Sequence, residues 1–270
     1  MKQFLLPGPP DGDGLVRISG QGFHYLAHVR RLRAGDRFNA RLPGPVPGAL
    51  VTLELRSLGQ GVLSAAVIGG VEDPVSGLPP ILLFQALPRG SKMDLIVRQA
   101  AEGGVSEVVP FRAERSVTGN LGDGGEKSRR WGRIIREALQ QSGSSTPTAL
   151  RPFSDTDGLF AYWEELRAAH PRALGILLHQ DPVEAEESGE GPLAEPSLHR
   201  YLNTVPEILA LAVGPEGGFS PAEVSRFTAA GFKALTIGNT VLRTETAALY
   251  GAAAVRIILL ERGSWIQKPR

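Results

Sequence analysis

The chain has no cysteine. That excludes disulfides, thiolate metal sites and cysteine nucleophiles, and it leaves the compartment to other arguments. Net charge is almost absent as well: 29 Lys and Arg stand against 28 Asp and Glu, a formal +1. A nucleic-acid surface would therefore be a local patch, not a field of the whole molecule. No apolar run approaches the ~18 residues of a membrane span. Met1 to Pro7 lack the long apolar core and small-residue cleavage site of a secretion signal. A soluble, cytoplasmic protein is expected. No internal repeat is visible. Glycine (33) and proline (21) are plentiful, but they punctuate apolar segments and form no low-complexity tract. The 270 residues suffice for one large domain or two smaller ones.

The most informative stretch lies near the C-terminus. Ile208 to Val213 is an unbroken apolar run of strand length, expected to be buried on both faces of a sheet. Gly214-Pro215-Glu216-Gly217-Gly218-Phe219 follows, with Gly217 and Gly218 offering backbone with no side chain in the way. Ser220 suits an N-cap, Pro221 the first helical position, and Glu223 the carboxylate of a capping box. Val224 and Phe227 give that helix a core face, and Gly231 ends it. Ala234 to Ile237 reads as a second strand, stopped by Gly238. Thr244 can cap a last helix running to about Glu261. In an open α/β sheet both loops would open at the carboxyl edge, where ligands bind. The first loop has neither a Gly-x-Gly-x-x-Gly fingerprint nor a Gly-Lys-Ser/Thr, so dinucleotide or nucleoside triphosphate binding is poorly supported. Arg243, Thr244, Glu245 and Thr246 crowd a helix start with more polar side chains than a turn needs.

Gly-Pro-Glu-Gly-Gly-Phe-Ser (214–220), followed by Ile-Gly-x-x-Val-Leu-Arg-Thr-Glu-Thr-Ala (237–247), resembles the paired signature of the RsmE family. Those are 16S ribosomal RNA (uracil-N3)-methyltransferases of the knotted SPOUT superfamily. The resemblance implies a parallel-sheet methyltransferase domain, S-adenosyl-L-methionine held in these loops, a homodimer, and a target uridine near the decoding site of the small ribosomal subunit. It implies that the backbone of Gly214, Gly217, Gly218 and Gly238 holds adenine and ribose over a floor of Leu178, Ile237 and Leu242. His179, Val213, Glu216, Arg243, Thr244, Thr246 and Ala247 complete the expected cofactor contacts. Methylating N3 of uracil needs help with a weakly acidic N–H and a developing oxyanion. Arg243 is the candidate to stabilise charge on a uracil oxygen. Glu245 is the candidate base or sulfonium contact, although an acid at a helix N-terminus is also favourable with no catalytic role.

Residues 1–73 read as a small domain. Leu15 to Ile18, Arg37 to Leu42, Leu50 to Leu55 and Gly61 to Ile68 are short strand candidates, and the pattern suggests a compact β-barrel. Tyr25, Leu26, Val29 and Leu32 recur at helical spacing, adding one helix. His24 and His28 share a helix face, but no third ligand lies nearby, so no metal site is expected. Arg30, Arg31, Arg33, Arg37 and Arg41 form a basic run. A solvated face and a phosphate-binding face both fit it. His-x-x-x-His-Val-Arg-Arg-Leu-Arg-x-Gly-Asp (24–36) is similar to the N-terminal signature of the same family, whose first domain resembles a PUA-type RNA-binding barrel. That resemblance favours phosphate.

Residues 74–80 read as a linker, and 81–270 as the methyltransferase domain. Ile81 to Leu87, a helix through Met93, Ile96, Val97 and Ala100, and Val105 to Phe111 form a strand–helix–strand unit. Such a unit argues for a parallel sheet. Gly103 stands where the family pattern has leucine, and a loosened helix end is expected. Arg89, Lys92 and Arg115, in the loops that follow these strands, join the candidate RNA contacts. Glu126 to Gln141 is strongly amphipathic, with Trp131, Ile134, Ile135, Ala138 and Leu139 on one face. Arg129, Arg133 and Arg136 lie on another, a spacing that suits a phosphate backbone and fits a solvated helix face equally well. With Arg30, Arg31 and Arg33 they are expected to grip one RNA.

Gln140 and Ser144 replace a glutamate and an arginine of the family pattern. They keep open a catalytically weak or silent RNA-binding or ribosome-assembly protein on the same fold. A SPOUT ribose 2'-O-methyltransferase is a further alternative. Residues 153–170 give another helix, Ala173 to Leu178 a strand ending at His179, and Asp181 to Glu207 an acidic surface insertion. Small residues along the last helix predict close packing, against the sheet or a partner subunit.

Overall fold

The computed structural model describes residues 2–43, 48–71, 77–116, 125–180 and 198–262. Two compact units divide the chain: Met1–Ser76 with Arg136–Pro147, and Gly77–Ile135 with Thr148–Arg270.

The first unit contains β1 (Phe4–Leu5), β2 (Leu15–Ser19), α1 (Gly20–His24), β3 (Arg37–Arg41), β4 (Leu50–Gly59) and β5 (Val62–Gly70). Residues Tyr25–Val29 continue α1 as one wider π turn. The strands form a sheet in the order β1-β3-β4-β5-β2. Gln60 and Gly61 turn β4 into β5 with φ of 51° and 76°, the left-handed pair that a tight hairpin of right-twisted strands requires. Ile18, Leu26, Leu53, Leu55 and Leu63 are its fully buried centre. Two-residue β1 has no readable period, so hydrophobic patterning does not reveal it.

Residues 136–147 join this unit through the N-terminal strand. The Lys2 and Gln3 amides both donate to the Gln140 carbonyl, at 3.1 and 3.4 Å. The Gln3 side chain donates to the carbonyls of Leu139 (2.9 Å) and Ser144 (3.0 Å). The Leu5 amide donates to Gln140 Oε1 at 3.2 Å. Gln140 thus anchors β1 directly, and the Ser144 carbonyl holds Gln3 just ahead of it.

The second unit contains β6 (Ile81–Ala86), α2 (Lys92–Glu102), β7 (Glu107–Arg112), α3 (Gly125–Ser142, whose last residues count with the first unit), β8 (Ala149–Leu150), β9 (Ser154–Asp155), α4 (Thr156–Ala169), β10 (Ala173–Leu178), α5 (Leu198–Tyr201), β11 (Ile208–Val213), α6 (Pro221–Ala229), β12 (Phe232–Leu235) and α7 (Thr244–Arg262). Strand order is β12-β10-β11-β6-β7-β8, with β9 also on β7. Every pairing in it is parallel.

Alternation along the strands feeds two cores. Phe84 of β6, Ala210 and Ala212 of β11, and Phe111 of β7 meet Leu159, Phe160 and Trp163 of α4 and Val224 and Phe227 of α6. On the other face α7 touches β11, β6 and α2. It comes close because of Gly251: a Cβ there would lie 2.8 Å from Leu178 Cδ1 and 2.9 Å from Leu211 Cδ2. The small residue at this point of α7 therefore serves its own sheet.

Three expectations are corrected. The last strand begins at Phe232, two residues early, because Phe232 packs into the aromatic core against Trp163 and Phe227 at 4.8 and 5.0 Å; Ile237 falls in the following loop. The α2 end is not loosened by Gly103. Gly104 takes φ 75°, and the Val105 amide returns to the Ala100 carbonyl at 2.9 Å, closing the helix as a glycine stop does. The acidic insertion carries α5 at Leu198–Tyr201, and its residues 181–197 lie outside the described residues, as do 72–76 of the expected linker. Among the described residues no helix is long and apolar enough to cross a membrane.

Candidate functional site

Register fixes where the site forms. Leu178 pairs with Val213 on one side and Leu235 on the other, and Val213 pairs with Gln85. Leu235, Leu178 and Val213, the last residues of three adjacent strands, therefore stand in line with Gln85, one residue before the end of β6. Beyond that line the chain opens a cavity of about 250 Å³. Its lining combines the β10 end, the loop after β11, the loop after β12 and the start of α7.

Leu178, His179, Val213, Gly214, Glu216, Gly218, Ile237, Leu242, Arg243, Thr244 and Ala247 all line it. These are eleven of the fourteen residues expected there. Gly217, Gly238 and Thr246 are not in the lining. Gly217 turns away: a Cβ on it would meet Arg115 Cβ at 3.3 Å. The glycine this loop requires for its conformation is Gly218, with φ 67°. Gln180, Pro215, Phe219, Leu235, Thr236, Thr240 and Val241 also line the cavity. Nothing in periodicity marks most of them. Phe219 had a signal, an aromatic directly after the glycine pair.

The loop after β11 is held at both ends. Phe219 is buried between Phe111 (stacked, 6.3 Å) and Phe227 (5.1 Å). Both arms of the capping box form: the Glu223 amide donates to Ser220 Oγ, and the Ser220 amide to Glu223 Oε2. Glu223 Oε1 also accepts from the Glu114 amide at 2.9 Å, tying α6 to the loop after β7. At the start of the loop, Thr244 Oγ1 donates to the Gly214 carbonyl at 2.7 Å and accepts from Gln85 Nε2 at 3.0 Å. Thr244 is thus the first residue of α7 and does not cap it. Arg243 holds the cap position, its carbonyl accepting from the Ala247 amide at 2.8 Å.

The charged residues divide into free and committed. Arg243 lines the rim, exposed. Glu216 is committed: its carboxylate accepts from the Arg89 amide at 3.0 and 3.2 Å and from Lys92 Nζ at 2.6 Å. Burial pushes this carboxyl up, but Lys92 and the Glu216 and Arg89 amides outweigh it and hold it below its ordinary value. Glu245 does not line the cavity; its Oε2 lies 3.9 Å from Lys92 Nζ. Lys92, expected as an RNA contact, is therefore shared between two carboxylates.

The other RNA candidates are placed as follows. Arg115 donates to the Gly217 carbonyl at 3.0 Å. Arg129 donates to Gly125 of its own helix. Arg30, Arg31, Arg33, Arg89, Arg133 and Arg136 are exposed. Arg31 takes φ 53°, a left-handed backbone in a non-glycine residue. His24 and His28 stand 5.2 Å apart, ring to ring, and Phe23 packs edge-on to His28.

The arrangement can hold an elongated ligand. Leu178, Ile237, Leu242 and Ala247 offer an apolar wall for a planar ring, loop backbone offers hydrogen bonds, and Glu216 and Arg243 offer charge at the mouth.

A sequence profile described as RNA methyltransferase domain matches residues 76–256. Ribosomal RNA small subunit methyltransferase E of Mycobacterium bovis is 31% identical over 263 residues, 94% of this chain and 91% of that protein. The protein of the same name from Synechocystis sp. is 30% identical over 250 residues, 92% of this chain and 74% of that one. A solved ribosomal RNA small subunit methyltransferase E from Neisseria gonorrhoeae, bound to S-adenosyl methionine, shares the fold with a TM-score of 0.75. It matches over 96% of this chain and 98% of that one, at 24% identity.

Proposed function

From the premise that this chain belongs to the ribosomal RNA small subunit methyltransferase E family, we propose that it transfers a methyl group from S-adenosyl-L-methionine to N3 of a uridine in 16S ribosomal RNA. The observation that carries the reading is the cavity at the ends of β10, β11 and β12, built from both signature loops, with Arg243 on its rim. The lining fits this cofactor. Apolar side chains suit adenine, and loop backbone suits the ribose and amino-acid arm.

The cofactor, when bound, supplies an electrophilic methyl group. Leu178, Ile237 and Leu242 orient it and keep water from its ring. Arg243 faces the charge that develops on a uracil oxygen as N3 loses its proton. Glu216 has both oxygens committed to Arg89 and Lys92, whereas Glu245 keeps Oε2 without a hydrogen bond, which supports Glu245 over Glu216 as acceptor or charge partner. The backbone of Gly214 and Gly218 forms the cofactor-facing edge. Gly217, Gly238 and Thr246 support the loops from outside the lining.

The remaining parts of the reading follow from the family. The first unit is a PUA-like RNA-binding barrel, supported by its sheet order and by the exposed Arg30, Arg31 and Arg33. The second is the knotted SPOUT domain. Arg129, Arg133 and Arg136 on α3 supply further phosphate contacts. The substrate is the assembled small subunit, and the enzyme works in the cytoplasm as a homodimer. The exposed Leu249, Tyr250 and Ile257 of α7 support a partner on that helix.

Incubation with labelled S-adenosylmethionine and unmodified small subunits, then with naked RNA, tests the reading. Mass spectrometry should locate the methyl on a uracil base of 16S RNA. A methyl on ribose, or cofactor binding with no transfer, would replace it.

A further inference from the structure

Three side chains from three junctions meet beside the cavity, and of the three Glu216 lines it. Lys92 opens α2, Glu216 lies in the loop after β11, and Glu245 is in the first turn of α7. Lys92 Nζ is 2.6 Å from Glu216 Oε1 and 3.9 Å from Glu245 Oε2. Their side chains are 34%, 26% and 14% exposed. Glu245 Oε2 is shielded from solvent and accepts no hydrogen bond. One ammonium thus serves two carboxylates, and the triad has one negative charge in excess. A shielded carboxylate oxygen without a donor is unfavourable unless a positive charge lies within reach.

We propose that the Lys92–Glu216–Glu245 triad makes the cavity select a sulfonium cofactor over its neutral thioether product. The proposal rests on the reading of the cavity as an S-adenosylmethionine site. During transfer the S–CH3 bond breaks and its electron pair stays on sulfur. The new N3–CH3 bond uses the uracil nitrogen's pair, and the N3 proton ends in solvent, so that Glu245 is ionised again once it has passed on any proton it accepts. The ligand therefore loses one positive charge while the triad keeps its −1. Attraction present for the donor vanishes for the product, which favours release. Glu216 brings this charge to the cavity wall, and Lys92 couples Glu245 to it. The same geometry makes Lys92 a poor phosphate ligand, since its ammonium is already held at 2.6 Å.

Two variants with opposite charge effects test the idea by calorimetry with S-adenosylmethionine and S-adenosylhomocysteine. In E245Q the triad becomes neutral, and the preference for the methylated form should fall roughly three- to tenfold, as removal of a unit charge at partly solvated range implies. In K92Q the triad becomes −2, and the preference should rise by a similar factor even if loosened loops weaken both ligands. A merely structural triad would lower both affinities together in both variants, and an unchanged ratio would overturn the proposal alone. If the unmodified protein binds neither ligand, the cofactor reading fails and the selectivity proposal falls with it.

Discussion

Replacing Thr244 with valine removes one hydroxyl and keeps the shape. That hydroxyl donates to the Gly214 carbonyl at 2.7 Å and accepts from Gln85 Nε2 at 3.0 Å. Thr244 is 4% exposed and Gln85 is fully buried, so water cannot replace the missing partner at the glutamine. The amide nitrogen keeps its bond to the Ala86 carbonyl, but its second hydrogen and the Gly214 carbonyl are left unpaired. An unsatisfied buried group costs about 1–3 kcal/mol, so Thr244→Val should destabilise the second unit by roughly 2–4 kcal/mol. Thr244→Ser keeps the hydroxyl and loses one methyl, a cost of about 0.8 kcal/mol.

Denaturant unfolding should rank wild type above serine and serine well above valine, with the valine transition roughly 5–15 °C lower on heating. Cofactor affinity by calorimetry should follow the same order, because the tie holds the loop that carries Gly214, Glu216 and Gly218. Gln85→Leu combined with Thr244→Val should cost less than the sum of the two single changes, since both partners of the broken bond are gone. A valine variant within about 0.5 kcal/mol of wild type, the usual bound for a surface change, would refute this account. So would a serine variant as unstable as the valine one.

Gly218→Ala forces an alanine to φ 67° in open space, so its cost is backbone strain alone, about 1–2 kcal/mol; cofactor affinity should drop more than in Gly217→Ala, and equal effects would contradict the assignment. Tyr162 is pushed up to about 12 by burial first and then by its bond to Glu107. Its stabilisation is therefore whole below the unfolded value near 10 and is lost as pH rises toward 12; ultraviolet difference titration of wild type against Tyr162→Phe should show that late ionisation, and ionisation near 10 would contradict it. Replacing Arg129, Arg133 and Arg136 with alanine should flatten the dependence of small-subunit RNA affinity on salt by ~0.7–0.9 for each phosphate no longer neutralised, with S-adenosylmethionine affinity intact. An unchanged slope would mean that these arginines are merely solvated.

Local chemistry made much of the second unit legible. The apolar run at 208–213 is a strand buried throughout, and Ser220, Pro221 and Glu223 start α6 as a capping box predicts. Short strands were not legible, because two residues at β1, β8 or β9 carry no period. Nor was the pairing of residues 136–147 with the N-terminus, since it depends on Gln3, a polar residue with no pattern around it. The site was legible as two loops and, through the resemblance, as eleven of the residues that line the cavity, but most of its other lining residues carried no pattern. Which side a glycine presents is decided by φ, and Gly217 and Gly218 are indistinguishable until the loop is built. Gln85 did carry a signal: it is the one polar residue in the run Ile81–Ala86, and a buried amide there needs a partner.

The two ties at the cavity join the same three places. Gln85–Thr244–Gly214 and Lys92–Glu216–Glu245 each link the passage from the end of β6 to the start of α2 with the loop after β11 and the start of α7. Their physics differs. The first is neutral and buried, so it holds the walls at fixed spacing whatever the charge of the ligand. The second is ionic, partly exposed and unbalanced by one charge, so its energy depends on what enters the cavity. A site built only of the first kind would bind the donor and its product nearly alike, because the two differ by a methyl group and a charge. One built only of the second would lose its shape when screened by salt. The parallel register, which brings Gln85, Val213, Leu178 and Leu235 to one line, lets a rigid neutral frame carry a charge-sensitive mouth.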